Sequence, residues 1–477
     1  MVDILRLSVA AAPFVVAGVV LVGLRRSATL SGVATLAAAV LAALAGVYLW
    51  SGPGGGEFLR AMVGALADGG YTSMRVLYVL FGGLLLYNLL RAGGAVDEVS
   101  RYLGRLEPDG VRLAVLVVVG VGPFFESVTG FGVAVVISAP ILLAAGFSPL
   151  RAAVLASWGQ CAVPWGALGV GTVIGADLAG MTFGELSDAS AFLSLPLFVV
   201  FAVSAALLAG GKGGLRRAWP EAAVLGGVAG VATLVNSLFL VPELSGAAGG
   251  ICAAALFVAR RRARLTGVAP PVRPLLPYAL LVALLAAVSA GPAAGYLERM
   301  GPVLAGPGTP LILSGAFAAM LLGVGPDRAL RALRGTLVQW LPTAGAVLTF
   351  VLAGQVVAAS GAAGVLASGA ASLGPLYPLA APVFGALGGA LAGSNAASNA
   401  LFMPLQAESA RALGEPVGLV AAVQNVAGSQ ASMLAPQRVV LAATATGLVG
   451  REGEIVRSAL PPVTVCVGIL AILGLVT

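Results

Sequence analysis

The chain has 477 residues, 59% hydrophobic and 9% charged, with a mean hydropathy of +1.03 and a formal charge of +7. A soluble domain carries about 25% charge, so these values exclude a large soluble α protein and point to a chain that lies in lipid. Its basic residues sit in short loops between apolar runs, which fits orientation in a membrane and argues against nucleic-acid binding.

From the N-terminus, the apolar run Ile4 to Leu24 is too long for the core of a secretory signal, and Asp3 stands where that signal needs a base. The run predicts a first transmembrane helix stopped by Arg25 and Arg26, with the N-terminus outside. A second span covers residues 28–50. Gly54 to Asp68 reads as an outside loop with a short amphipathic piece, ahead of a third span followed by Arg91, Arg101, Arg105 and Arg112. Further basic groups lie at Arg151; at Lys212, Arg216 and Arg217; at Arg260, Arg261, Arg262, Arg264 and Arg273; at Arg328, Arg331 and Arg334; and at Arg451 and Arg457. Placing these loops in the cytoplasm obeys the positive-inside rule. Asp177, Glu185, Asp188, Glu243 and Glu298 then fall on the opposite side.

That topology forces two apolar stretches to enter and return. Leu113 to Phe147 has both ends in the cytoplasm and turns at Glu126 to Gly132; Pro375 to Leu413 has both ends outside and turns at Gly393 to Asn399. Re-entrant hairpins from opposite sides are the mark of an inverted-topology repeat. The repeat divides the chain into 1–240, carrying hairpin 1 (about 113–147), and 241–477, carrying hairpin 2 (about 375–413). A weak echo supports it: Ala144-Ala-Gly-Phe-Ser-Pro149 and Ala412-Leu-Gly-Glu-Pro416 each precede a helix with a polar, broken middle, Trp158 to Trp165 in one and Gln424 to Pro436 in the other. Spans near 189–210, 219–241, 246–259, 275–292 and 308–323 are apolar all round and read as scaffold. The expected fold is an all-α polytopic membrane protein with about twelve transmembrane helices and two oppositely oriented re-entrant hairpins.

Glu126 is the outstanding chemical feature. A carboxylate at the bilayer centre costs about 2.5–3.5 kcal/mol on insertion scales, and broken helices at that depth are tolerated only against protein or a water-filled cavity. An acid beside an interrupted apolar segment reads as a transport site. Cys161, Cys252 and Cys466 are far apart, with neither metal-ligand nor disulfide spacing, and nothing calls for a cofactor. An intramembrane enzyme would need a nucleophile with its base, a metal cluster or paired acids, and none is present in the sequence. A passive channel would explain the hairpins but would leave Glu126 without a coupling role.

At the hairpins the chain resembles the lactate permease family, bacterial carriers of 2-hydroxy acids. The matching residues are Glu126-Ser-Val-Thr-Gly-Phe-Gly132, Ser398-Asn-Ala-Leu-Phe402, Pro436-Gln437 and Ala445-Thr-Gly-Leu-Val-Gly-Arg-Glu452. The resemblance covers most of the chain and is strongest over 120–170 and 390–460. It implies a secondary active transporter in the cytoplasmic membrane, moving L-lactate, with glycolate and D-lactate as further candidates, together with a proton. It also implies paired hairpins with Ser-Asn turns and, by analogy with the wider ion-transporter group, a homodimer. A Na⁺-coupled carrier of another organic anion such as a dicarboxylate is the alternative. The sequence departs from the family pattern in three places: Asn395 stands at a usual Asp, Ser432 at a usual Lys, and Arg438 at a usual small hydroxyl residue. The first two replace a charged pair by a neutral one, and the third offers a relocated positive charge for the substrate carboxylate.

On this reading a small monocarboxylate meets partial positive charge at helix N-termini in the hairpin turns. Ser394, Asn395, Ser398 and Asn399 line one turn; Ser127, Thr129 and Gly130 line the other. Gln160, Asn425, Ser429 and Gln430 are candidates for a 2-hydroxyl, and Gln437 adjoins Arg438. The serine and asparagine cluster equally suits helix capping. Arg438 could hold substrate or snorkel to the interface. The chain has no histidine, so a proton carrier must be a carboxyl, and Glu126 is the one placed for it. Capping backbone N–H groups or holding a cation are its other readings. Trp158 and Trp165 either line the pathway or pack.

Overall fold

The computed structural model describes residues 4–50, 55–130, 132–261, 271–290 and 301–476; among them every element is helical. The expectations placed on Asp3, Gly54, Phe131, Arg262, Arg264 and Glu298 lie outside the described residues. In chain order come α1 (Ile4–Gly18), α2 (Ala28–Leu49), α3 (Gly55–Ala92) and the short, amphipathic α4 (Ala95–Leu106). Next are α5 (Gly110–Leu116), continued through a π turn into α6 (Gly122–Thr129), then α7 (Val133–Ala144), α8 (Pro149–Trp158) and α9 (Val170–Ala179). The middle of the chain holds α10 (Phe183–Phe239), α11 (Ser245–Arg260), α12 (Val272–Ala290) and α13 (Pro302–Ala305). The C-terminal part holds α14 (Gly308–Leu321), α15 (Pro326–Ala359), α16 (Ala362–Ala370), α17 (Tyr377–Ala392), α18 (Asn395–Leu413), α19 (Val417–Ser432), α20 (Pro436–Thr446) and α21 (Glu452–Val476).

Nine runs of the described residues are long and apolar enough to cross a membrane. The longest, α10, is two helices folded back on each other at Gly211, whose φ of 60° and ψ of −161° no side chain would tolerate cheaply. Ser187 and Ser237 join its arms by a 2.7 Å hydrogen bond, so the spans expected near 189–210 and 219–241 are one tight hairpin. The chain is a multi-pass, all-α membrane protein.

One expectation is overturned. The stretch up to Asp68, read as an outside loop, is helical from Gly55 and continuous with the third span. Its glycines and Asp68 lower helix propensity, but α3 packs along both α14 and α15, and tertiary contact carries the helix through.

A single order of elements occurs twice. A long helix (α3, α15) is followed by a short one (α4, α16), a helical hairpin (α5–α6 with α7, α17 with α18) and a helix broken at mid-length (α8 and α9, α19 and α20). The short link after each hairpin contains a left-handed glycine, Gly146 (φ 85°) or Gly414 (φ 72°), at the two places where the sequence echo lies. α3 packs on α15, and each hairpin packs on the broken helices, hairpin 1 also against α10 and α11 and hairpin 2 also against α15 and α16. Near the start of hairpin 1 a charge cluster ties three elements together. Arg261, at the end of α11, is buried, pairs with Glu107 and with Glu221 (2.7 Å), and lies 3.5 Å over the Phe257 ring.

Candidate functional site

Each hairpin tip turns at a glycine that ends one helix; the next helix starts at Gly132 and Val133 in hairpin 1 and at the polar Ser394 in hairpin 2. Gly130 (φ 66°) closes α6, its N–H donating to the Glu126 carbonyl at 2.8 Å. Gly393 (φ 65°) closes α17, and Ser394 caps α18 by accepting from the Ala397 N–H at 3.1 Å. The two broken helices pass beside these tips. Between α8 and α9 the backbone unwinds from Gly159 to Gly169, with Ala167 (φ 41°) and Leu168 (φ 58°) in a region that side chains disfavour. Their N–H groups donate to the carbonyls of Glu126 (3.0 Å) and Ser127 (2.6 Å). The strained segment therefore satisfies the exposed end of α6 and stitches hairpin 1 to the break.

A small cleft opens where these pieces meet, lined by Glu126, Val163, Gly166, Val170, Gly171, Ser394, Asn395, Ala396 and Arg438. Glu126 and Arg438 face each other across its wall: Arg438 Nη1 donates to Glu126 Oε1 at 3.0 Å, with the side chains 8% and 1% exposed. Arg438 also donates to the Gly393 carbonyl (2.9 Å) and to Gln160 Oε1, and Glu126 Oε2 accepts from the Gly132 N–H (3.3 Å). One guanidinium thus joins hairpin 1, hairpin 2, the unwound segment and α20. The snorkelling reading of Arg438 is corrected: it sits in the first turn of α20, next to the hairpin 2 tip, and its buried head points inward to a carboxylate.

Beside the cleft is a buried amide network. Asn395 Nδ2 and Asn399 Nδ2 both donate to Asn425 Oδ1, at 2.7 and 2.8 Å, and Asn425 Nδ2 donates to Thr172 (3.0 Å) and Ser190 (2.8 Å). Asn399 Nδ2 also reaches the Gly171 carbonyl at 2.9 Å. The network holds the start of α18 against α9 and α19.

The family model for L-lactate permease matches residues 7–263 and 299–477. The chain belongs to the L-lactate permease family. Among its relatives, the glycolate permease GlcA of Escherichia coli K12 is 26% identical, over 94% of this chain and 91% of its own. An L-lactate permease of Salmonella typhimurium is 26% identical over 81% of each. The YdaH transporter of Alcanivorax borkumensis is a structural neighbour at 18% identity, a TM-score of 0.48 and 88% coverage of both chains. Membership makes the chain a permease rather than an enzyme.

Within this permease the anticipated site residues separate into groups. Glu126, Ser394, Asn395 and Arg438 line the cleft, and Gln160 touches it through Arg438. Asn399 and Asn425 form the supporting network. Gln430 donates to the Cys161 carbonyl at 3.0 Å and Ser429 receives the Ser432 hydroxyl on its carbonyl at 2.8 Å, both on α19 and fully buried. The remaining four side chains and one glycine serve the hairpins. Thr129 hydroxyl donates back to the Phe125 carbonyl, Ser127 faces Gly246 on α11, Gly130 forms the tip, Ser398 binds the Gly385 carbonyl (3.3 Å) and Gln437 the Ala392 carbonyl (2.7 Å). Trp158 and Trp165 are buried, donating to the Ala459 carbonyl (3.1 Å) and Ser187 (2.9 Å), and belong to packing. Sequence reasoning missed Val163, Gly166, Val170, Gly171 and Ala396, which are small or apolar and carry no chemical signal. It also missed Thr172 and Ser190, polar residues in apolar runs that could have been noticed.

Proposed function

We propose that this permease carries a small 2-hydroxy monocarboxylate, L-lactate or glycolate, with D-lactate as a further candidate, across the cell membrane in symport with a proton. The activities for which its relatives are named, L-lactate permease and glycolate permease, support the substrate class. The observation that carries the mechanism is the buried Glu126–Arg438 pair in the cleft wall. While Glu126 is ionised it occupies Arg438 and repels an incoming anion. A proton on Glu126 removes that charge and frees the guanidinium for the substrate carboxylate, so proton and anion favour each other's binding. The cleft always holds one positive group, and one carboxylate is neutralised in either state. This count suits a monocarboxylate, because a dicarboxylate would leave a second buried charge unpaired.

The two hairpins, as oppositely directed re-entrant units of two inverted halves (1–240 and 241–477), would move against the helices around α3 and α15, exposing the cleft to each side in turn. The N-terminus lies outside, and the protein works as a homodimer in this reading. The test is L-lactate uptake into proteoliposomes under an imposed inward proton gradient. Wild type should accumulate lactate. Glu126→Gln, locked in the neutral form, should lose gradient-driven accumulation while still exchanging labelled for unlabelled lactate. Full accumulation by Glu126→Gln would remove the proton-coupling role, and absence of lactate transport by wild type would remove the substrate assignment.

A further inference from the structure

Asn395 carries a polar atom that its surroundings leave without a partner. Its Nδ2 is committed to Asn425 Oδ1 at 2.7 Å. Asn425 is itself fixed, since its own Nδ2 is spent on Thr172 and Ser190. Rotating the Asn395 amide would set oxygen against oxygen, so its Oδ1 is held as an acceptor. That Oδ1 is buried and has no hydrogen-bond partner, in a residue only 4% exposed that lines the cleft. A buried acceptor left unpaired costs free energy that a ligand donor recovers.

The neighbouring geometry suits a carboxylate one bond away. Asn395 and Ala396 open α18, a helix of 19 residues, where the first N–H groups have no partner within the helix. Arg438 stands across the same cleft. Gly171, in the same cleft lining, packs closely against this turn: a Cβ there would come 2.6 Å from Asn395 Nδ2 and 2.9 Å from the Ala396 nitrogen and would displace both. The neighbouring side-chain oxygen at this turn, Ser394 Oγ, is already engaged as the cap of α18.

We propose that Asn395 Oδ1 accepts the 2-hydroxyl of a substrate whose carboxylate lies between Arg438 and the N-terminus of α18, and that this acceptor selects 2-hydroxy acids over 2-oxo and unsubstituted acids of the same length. The inference rests on the symport reading above and adds to it the residue that sets specificity. An amide oxygen only accepts. Lactate brings it an O–H, pyruvate brings a second lone pair, and propionate brings nothing, so the latter two leave it unpaired. Sites built to bind a hydroxyl reject analogues that lack one more strongly than apolar pockets reject a change in size.

The experiment is displacement of labelled L-lactate from the purified full-length protein by L-lactate, pyruvate and propionate. Wild type should prefer lactate by about tenfold, the yield of one neutral hydrogen bond. Asn395→Ala should bring the three acids to similar affinity. Asn395→Asp should keep the preference, because it retains the oxygen while losing the N–H that binds Asn425; a purely structural role predicts the reverse. Equal wild-type affinity for the three acids overturns this inference alone, as does an unchanged ratio in Asn395→Ala. Failure of wild type to bind any of them overturns the symport reading and this inference with it.

Discussion

Glu126 was legible in the sequence because a carboxylate in an apolar run is costly wherever it lies, and the Gly and Pro around it announce a break. Its counter-ion was not. Arg438 is 312 residues away, and nothing local to α20 says that its first turn packs beside the hairpin 1 tip. The pairing makes a stability prediction of its own. Arg438→Met leaves the buried carboxylate uncompensated and should destabilise the protein by about 3–5 kcal/mol. The double variant Glu126→Gln with Arg438→Met should recover most of that loss while remaining inactive in uptake. Thermal unfolding of the four proteins in detergent checks both statements, and a double variant no more stable than Arg438→Met would show that the pair is not the source of the loss. The strained segment gives a second test. A left-handed conformation costs a non-glycine residue about 1–2 kcal/mol, so Ala167→Gly should raise stability by up to about 1 kcal/mol once the greater freedom of the unfolded chain is counted. A lower melting temperature would mean that the Ala167 methyl group contributes more by packing than its backbone loses by strain.

Elements were legible where punctuation is chemical and obscure where packing decides. The hairpin 2 tip, Gly393-Ser394, spells a helix stop and a cap, and Pro436 marks the restart of a helix after a break. The unwinding between α8 and α9 was visible through Gly159 and Pro164, but the left-handed pair Ala167 and Leu168 was not, since neither residue favours that conformation. The first part of α3 misled because its weak propensity is overcome by neighbours distant in sequence. Close helix approach is equally invisible locally. α17 and α19 pack where Gly389 meets the Gly428 carbonyl with no room for a Cβ. Gly389→Val should therefore separate them at a cost of about 1–3 kcal/mol and depress transport through hairpin 2. Wild-type stability in that variant would show that the contact yields easily.

At the scale of the molecule, the basic loops make the orientation testable. Single cysteines placed at Arg216 and at Glu185, in a background without Cys161, Cys252 and Cys466, should react with an impermeant maleimide from the cytoplasmic and the outer side respectively; the opposite pattern would invert the topology. The remote pairing of Glu126 with Arg438 also has a consequence for how the protein is made. Synthesis at about 5–20 residues per second puts some 15–60 s between the acid and the base that neutralises it, given their separation of 312 residues. For that interval the nascent chain holds an acid with no counter-ion. The acid must enter lipid protonated, or wait near the water-filled insertion machinery until α20 arrives. Ribosome-bound chains stopped before Arg438 should remain accessible to membrane quality-control proteases, and those stopped beyond α21 should become resistant.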